Sequence, residues 1–165
     1  MPDHHINILL VEDTETDAAI TERALKTSMR SPYSVVRAHS MAEVESILRS
    51  RDNFDVILLD LGLPDTNGRI DTFQRLERAK TRDIPTLVLS SIVDRELAVS
   101  IVGHGAEDYV RKSRLSIEPQ SISDAIDFAM SRHKNEEEIK RKKDKARAEK
   151  EEVLQWMGGS YSCQK

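Results

Sequence analysis

Apolar runs of strand length alternate along the chain with stretches of helical periodicity. The runs are INILLV (6–11), YSVVRA (33–38), DVILLD (55–60), PTLVLS (85–90) and DYVR (108–111). Three of them are nearly continuous in Ile, Leu and Val, the pattern of strands buried on both faces of a parallel sheet. The stretches between them carry helix-start signals. Asp17 or Thr16 precedes AAITERALKTSM. Ser40 precedes MAEVESILRS, with Glu43 three residues on, which predicts a capping box. Asp94 precedes RELAVSIVGHG, where Gly103 and Gly105 can close the helix. The predicted order is (βα)5. Right-handed crossovers make this a doubly wound α/β fold, a three-layer sandwich with helices on both faces of the sheet.

A last helix is predicted from about Pro119, a good first-turn residue. Ile122, Ala125, Ile126, Ala129 and Met130 share one face of it, enough to dock on the sheet. Beyond Arg132 that stripe fades, yet no helix breaker follows until Gly158. Glu136–Lys140, Glu137–Arg141 and Glu138–Lys142 are successive i,i+4 pairs in the favourable orientation, each worth about 0.2–0.5 kcal/mol. An extended C-terminal helix is therefore expected. Ile139, Ala146 and Val153 are spaced seven apart, which offers a seam for a homodimer through this helix. The complementary seam position is charged, so the coiled-coil signal is weak.

Composition sharpens that division. Of 165 residues, 33% are charged, against a usual quarter. The excess is local: residues 132–152 carry 16 charges in 21 positions, nine positive and seven negative, while the remainder is ordinary in density and carries a net −6 of the chain's −4 total. The expected organisation is a globular domain over 1–133, a charged helical extension or linker over 134–157, and a tail over 158–165. No apolar run approaches the roughly 20 residues that span a bilayer. The first residues have no basic region ahead of the apolar run, so a cytoplasmic location is expected. Cys163 is the single cysteine, so no intrachain disulfide can form. The acidic balance and the lack of a recognisable DNA-binding helix pair predict no nucleic-acid contact.

In a doubly wound sheet the site lies beyond the carboxyl ends of the strands. Those ends carry Glu12 and Asp13 after the first strand, Asp60 after the third, Ser90 and Ser91 after the fourth, and Lys112 after the fifth. Two carboxylates about 4 Å apart repel by about 4 kcal/mol at an effective dielectric near 20. Gathering three of them calls for raised pKa values or a cation. Hard oxygen ligands suit Mg²⁺, which keeps several waters and also binds phosphate oxygens. Asp60 is then a candidate nucleophile toward phosphorus. Lys112 can pair with Asp60 and then with the phosphoryl group, to which Ser90 can donate a hydrogen bond. Taken one at a time these residues read as caps, turn formers and solvated groups; it is their joint placement at the right strand ends that carries the reading.

With these residues in place, the chain resembles the receiver domain of two-component response regulators over residues 5 to about 133. The matching pieces are ILLVED (8–13), DVILLDLGLPDTNG (55–68), IPTLVLSS (84–91) and GAEDYVRKS (105–113). The resemblance implies a flavodoxin-like sheet of order 2-1-3-4-5. It implies that Asp60 accepts a phosphoryl group from a histidine kinase or phosphotransfer protein. It also implies Mg²⁺ held by Asp13, Asp60 and the main-chain carbonyl of Gly62, with Glu12 acting through water. Ser90 and Tyr109 fall at the family's switch positions and Lys112 at its lysine. Such a domain phosphorylates and dephosphorylates itself but acts on no separate metabolite. DLGLPDTNG looks most like receivers within multidomain sensor proteins.

One position departs from the family. Ser113 follows Lys112, where the family usually has a proline, so a trans peptide is expected there. This departure keeps a second reading open, a phosphorylation-independent adapter acting through the C-terminal helix. Two other classes fail on single positions. Aspartyl-phosphate hydrolases commonly carry a second Asp two residues after the nucleophile, where this chain has Gly62; an FMN binder would need a phosphate loop after the first strand. The residues around His133 do not resemble a kinase histidine box, and no spacing suggests zinc.

Overall fold

The computed structural model describes residues 5–91 and 95–159. Five strands and six helices follow in the order β1 Ile6–Val11, α1 Glu15–Ser28, β2 Tyr33–Ala38, α2 Met41–Ser50, β3 Val56–Asp60, α3 Arg69–Ala79, β4 Thr86–Ser90, α4 Arg95–Gly103, β5 Asp108–Arg111, α5 Lys112–Leu115 and α6 Gln120–Gly159. The sheet is parallel, in the order β2-β1-β3-β4-β5. This is the flavodoxin-like (βα)5 arrangement expected from the sequence, with α5 added as one short turn.

Alternate residues of the central strands point to opposite faces, and both faces are buried. Leu9, Val11, Ile57, Leu59 and Val88 pack with Met41, Val44, Leu48, Phe73, Leu76 and Ile101 from α2, α3 and α4. Ile8, Leu10, Val56, Leu58, Leu87 and Leu89 pack on the other side with Ala18 and Leu25 of α1 and with Ile122, Ala125, Ile126 and Ala129 of α6. The expected docking stripe of the last helix is therefore in place.

Several element ends differ from the sequence expectation. Thr14, not Thr16 or Asp17, is the N-cap of α1, and its side chain makes no capping bond. Asp17 is freed from capping and enters the site described below. Ser40 caps α2 as expected, accepting from the Glu43 amide at 3.2 Å. The return arm of the box goes one residue further back, because Glu43 accepts from the amide of His39 at 2.8 Å. The expected cap at Asp94 lies outside the described residues. At the other end of α4, Gly105 has φ +112°. Its amide bonds to Val102 and that of Ala106 to Ile101, the two bonds of a Schellman ending that glycine makes accessible.

Chain contacts divide the protein into two units that meet between Met130 and Ser131. In the second unit the helix is solvated on all sides through most of its length, with Ile139, Val153, Leu154, Trp156 and Met157 more than half exposed. Of the three expected ion pairs, Glu138–Lys142 is formed at 2.8 Å, whereas Glu137 faces His133 at 3.4 Å. No described helix is long and apolar enough to cross a membrane.

Candidate metal and phosphoacceptor site

Parallel strands deliver their last residues to one edge, and the edge here is strongly acidic. Glu12, the first residue after β1, is fully buried. Its amide is tied to Ala38 of β2 at 2.9 Å, and one of its carboxylate oxygens accepts from the Thr14 amide at 3.2 Å. Asp13 follows, half-buried, and Asp60 ends β3. One carboxylate oxygen from each of Glu12, Asp13 and Asp60 lies within 4.8 Å of the others. That is a donor set of hard oxygens from few residues, which fits Mg²⁺ better than a softer metal. Gly62 lies beside the Asp60 carboxylate. A Cβ there would stand 3.3 Å from Oδ2 of Asp60, so a side chain would crowd the carboxylate that faces the pocket.

Lys112 closes the site from β5. It is the first residue of α5, and its side chain is 6% exposed. The ammonium donates to Glu12 Oε2, donates to Asp17 Oδ2 at 2.8 Å, and stands 3.3 Å from Asp60 Oδ1. The described backbone has no cis peptide bond, so Lys112–Ser113 is trans, as expected, and the lysine reaches Asp60 all the same. Burial alone would push the ammonium down; the hydrogen bonds to Asp17 and Glu12 and the charge of Asp60 outweigh it and hold the group above the ordinary lysine value. Burial pushes the Glu12 carboxyl up. The hydrogen bond from Lys112 opposes this and the charge of Asp60 adds to it, and Glu12 ends above the usual carboxylate range.

The β3–α3 loop that carries Gly62 is held by side chains the sequence did not single out. Buried Thr72 donates to the carbonyl of Leu61 at 3.1 Å, and Thr66 bonds the carbonyl of Leu63 at 3.0 Å. Asp65 accepts from the amides of Met41 and Ala42, each at 3.0 Å, and so caps α2 from a different loop. Gly68 stands at the N-cap of α3 with φ +109°, the unusual angle its identity suggested.

Ser90 ends β4, buried, next to Leu89, which pairs with Asp60. Tyr109 pairs with Val88 in the β4–β5 ladder and is half-buried against the core under α2, α3 and α4. By strand alternation Ser90 shares the face of Val88. The two expected switch residues thus lie on neighbouring strands next to the acidic edge.

Sequence reasoning missed two residues of the site. Asp17 reads locally as a cap, and its contact with Lys112, 95 positions away, leaves no mark in the neighbouring sequence. Arg37 carried no signal. Its half-buried guanidinium donates to the carbonyl of Glu12 at 3.1 Å and to Glu15 at 2.8 Å, pinning the exit of β1 to that of β2.

Comparison with known proteins agrees with this geometry. The family model described as the response regulator receiver domain matches residues 8–127. The two-component response regulator ARR2 of Arabidopsis thaliana is 31% identical over 110 residues, 66% of this chain and 16% of that protein. The cell cycle response regulator CtrA of Brucella ovis is 34% identical over 108 residues, 65% of this chain and 44% of that protein. The chain thus spans less than half the length of these relatives. Among solved structures, a response regulator receiver domain from Clostridium thermocellum superposes with a TM-score of 0.64 at 25% identity, covering 78% of this chain and 97% of that one. A response regulator from Burkholderia pseudomallei gives 0.60 at 27% identity, covering 82% and 74%. With the strand order, the acidic edge and the family match in agreement, the chain belongs to the response regulator receiver domain family.

Proposed function

We propose that Asp60 is the phosphoacceptor of a two-component signalling protein and that its donor is a phosphohistidine on a kinase or phosphotransfer protein. The observation that carries this reading is the placement of Lys112 3.3 Å from Asp60 at the edge of a three-carboxylate pocket. An Asp60 carboxylate oxygen attacks the phosphorus, the bond from phosphorus to the donor's imidazole nitrogen breaks, and the imidazole leaves with the electron pair. Glu12, Asp13, Asp60 and the carbonyl of Gly62 would hold Mg²⁺. The ion would supply positive charge to the phosphoryl oxygens, where positioning and electrostatics do most of the catalysis. Lys112, 3.3 Å from Asp60, would add its own positive charge to the phosphoryl oxygens. The Burkholderia pseudomallei structure contains a phosphorylated aspartic acid and a calcium ion, chemistry that this pocket could share.

Ser90 then turns inward and donates to the phosphoryl group. The space it leaves lets the Tyr109 ring move toward the core, changing the surface of α4 and β5. This is a bistable element biased by a local charge, and full switching requires about 5.5 kcal/mol of differential stabilisation. The charged segment 134–157 would carry output to a downstream module or to a second copy. The protein would work in the cytoplasm and turn over no metabolite of its own. The adapter reading rested on Ser113; since Lys112 reaches Asp60 without a proline after it, that feature no longer favours it.

The test is to add Mg²⁺ with acetyl phosphate or beryllofluoride to the wild type and to Asp60→Asn. A mass gain of one phosphoryl group with acetyl phosphate, and amide shifts at Tyr109 and around Ser90 with either reagent, in the wild type alone support the reading. Equal behaviour of the two proteins would sink it.

A further inference from the structure

Lys112 has three donors and three carboxylates around it, and the three are not equivalent. Glu12 and Asp60 belong to the cluster that can hold a cation; Asp17 does not. Asp17 comes from the first turn of α1 rather than from a strand end. Its carboxylate is 29% exposed and meets the ammonium at 2.8 Å. The side chain it holds is a four-carbon stem with a compact, mobile charge. Ser113 lacks the ring that would fix the backbone angle after the lysine. Something else must therefore keep the ammonium beside Asp60.

We propose that Asp17 is a positioning residue for Lys112: it gives the ammonium a carboxylate of its own, so that Glu12 and Asp60 remain available to a divalent cation. This inference rests on the receiver reading of the site. With Asp17 in place, a cation that engages Glu12 and Asp60 leaves Lys112 still paired and still within reach of the phosphoryl position. Without it, Lys112 has only Glu12 and Asp60 as counter-charges and competes with the cation for both. Asp17 is also the hydrogen-bond partner that contributes most to keeping the buried ammonium charged, consistent with an assigned rather than an incidental pair. A first-turn Asp is ordinarily favourable to its helix; that role would affect stability but not cation binding through Lys112.

The two roles separate in a double-mutant cycle on the full chain. Mg²⁺ affinity is measured by calorimetry for the wild type, Asp17→Asn, Lys112→Met and the double variant, with a thermal melt of each. The expected result is that Asp17→Asn weakens Mg²⁺ binding on the order of ten-fold, that Asp17→Glu recovers most of the loss, and that the effect of Asp17→Asn largely disappears in the Lys112→Met background. If Asp17→Asn lowers affinity equally with and without Lys112, or lowers only the melting temperature, the inference is overturned. Should Lys112→Met fail to fold, the Lys112 Nζ resonance decides. On adding Mg²⁺ it should hold its position in the wild type and shift in Asp17→Asn, and the same response in both overturns the inference. A wild type that binds no Mg²⁺ and ignores beryllofluoride overturns the receiver reading and this inference with it; a wild type that responds while Asp17→Asn matches it overturns this inference alone.

Discussion

The protein uses charged residues in two opposite ways. At the strand ends, with Asp17 from the first turn of α1, Glu12, Asp13, Asp60 and Lys112 lie close together, and Glu12 is wholly removed from water. Over residues 132–152, 16 charges sit on a solvated helix. The first set is small and coupled; the second is large and each pair is nearly independent. Charge count is therefore a poor guide to electrostatic energy. Removing one member of a buried pair leaves an uncompensated charge and costs several kcal/mol, whereas an exposed pair contributes well under one.

The largest effect should come from breaking the first set at its cation. Lys112→Met is expected to lose about 3–5 kcal/mol in urea unfolding at neutral pH without Mg²⁺. The loss should depend on pH. Burial, with the charge of Asp60, already holds Glu12 above its ordinary value despite Lys112, and removing the ammonium raises it further. A group raised in the folded state favours folding below its unfolded value, 4.5 here, and that contribution is lost as pH rises through the folded value. The gap between variant and wild type should therefore shrink as pH falls from 7 toward that unfolded value. Equal gaps at both ends of that range would mean that Glu12 is not the charge left stranded.

Much of this arrangement was legible in the residue pattern. Continuous Ile, Leu and Val in three runs implied strands covered on both faces, and the topology rule then placed Glu12, Asp13, Asp60, Ser90 and Lys112 on one edge. What escaped was contact between residues far apart in sequence with no periodic signature. Asp17 meets Lys112 across 95 positions, Arg37 meets Glu12 across 25, and Asp65 caps a helix that starts 24 residues before it. A capping rule looks a few residues along the chain, so it assigned Asp17 locally and missed Asp65. The i,i+4 rule held at Glu138–Lys142, whereas at Glu137 the nearby side chain is that of His133, four residues before it rather than after.

Asp65 tests the middle of the range. It is exposed, yet its carboxylate takes two amides at the start of α2. Burial raises its pKa, but the backbone hydrogen bonds from Met41, Ala42 and its own amide, with the charge of Arg75, together lower it more, and the balance is downward. Asp65→Ala should cost about 1 kcal/mol, seen as a lower melting temperature with Mg²⁺ affinity little changed. The sign with pH is opposite to that of Glu12. A depressed carboxylate stabilises above its unfolded value, 3.8, and the contribution disappears as pH falls through the lower folded value. Variant and wild type should therefore converge only in acid. Convergence at neutral pH would show that the two amides are satisfied equally well by water.

The smallest effect belongs to the solvated helix, and it is the sharpest test of the contrast. Glu138 and Lys142 form a 2.8 Å pair in which the side chains are 51% and 74% exposed. A pair of this kind contributes about 0.3–0.5 kcal/mol, and alanine recovers some of that through its helix propensity. Lys142→Ala should thus leave helix content by circular dichroism almost unchanged, and added salt should change it little further. The same neutrality is expected at every protein concentration if 131–159 acts as a solvated arm. A loss above about 1 kcal/mol that grows on dilution would mean that Lys142 is buried against a second copy. The charged helix would then belong with the pocket, as a place where a single charge matters, rather than in contrast to it.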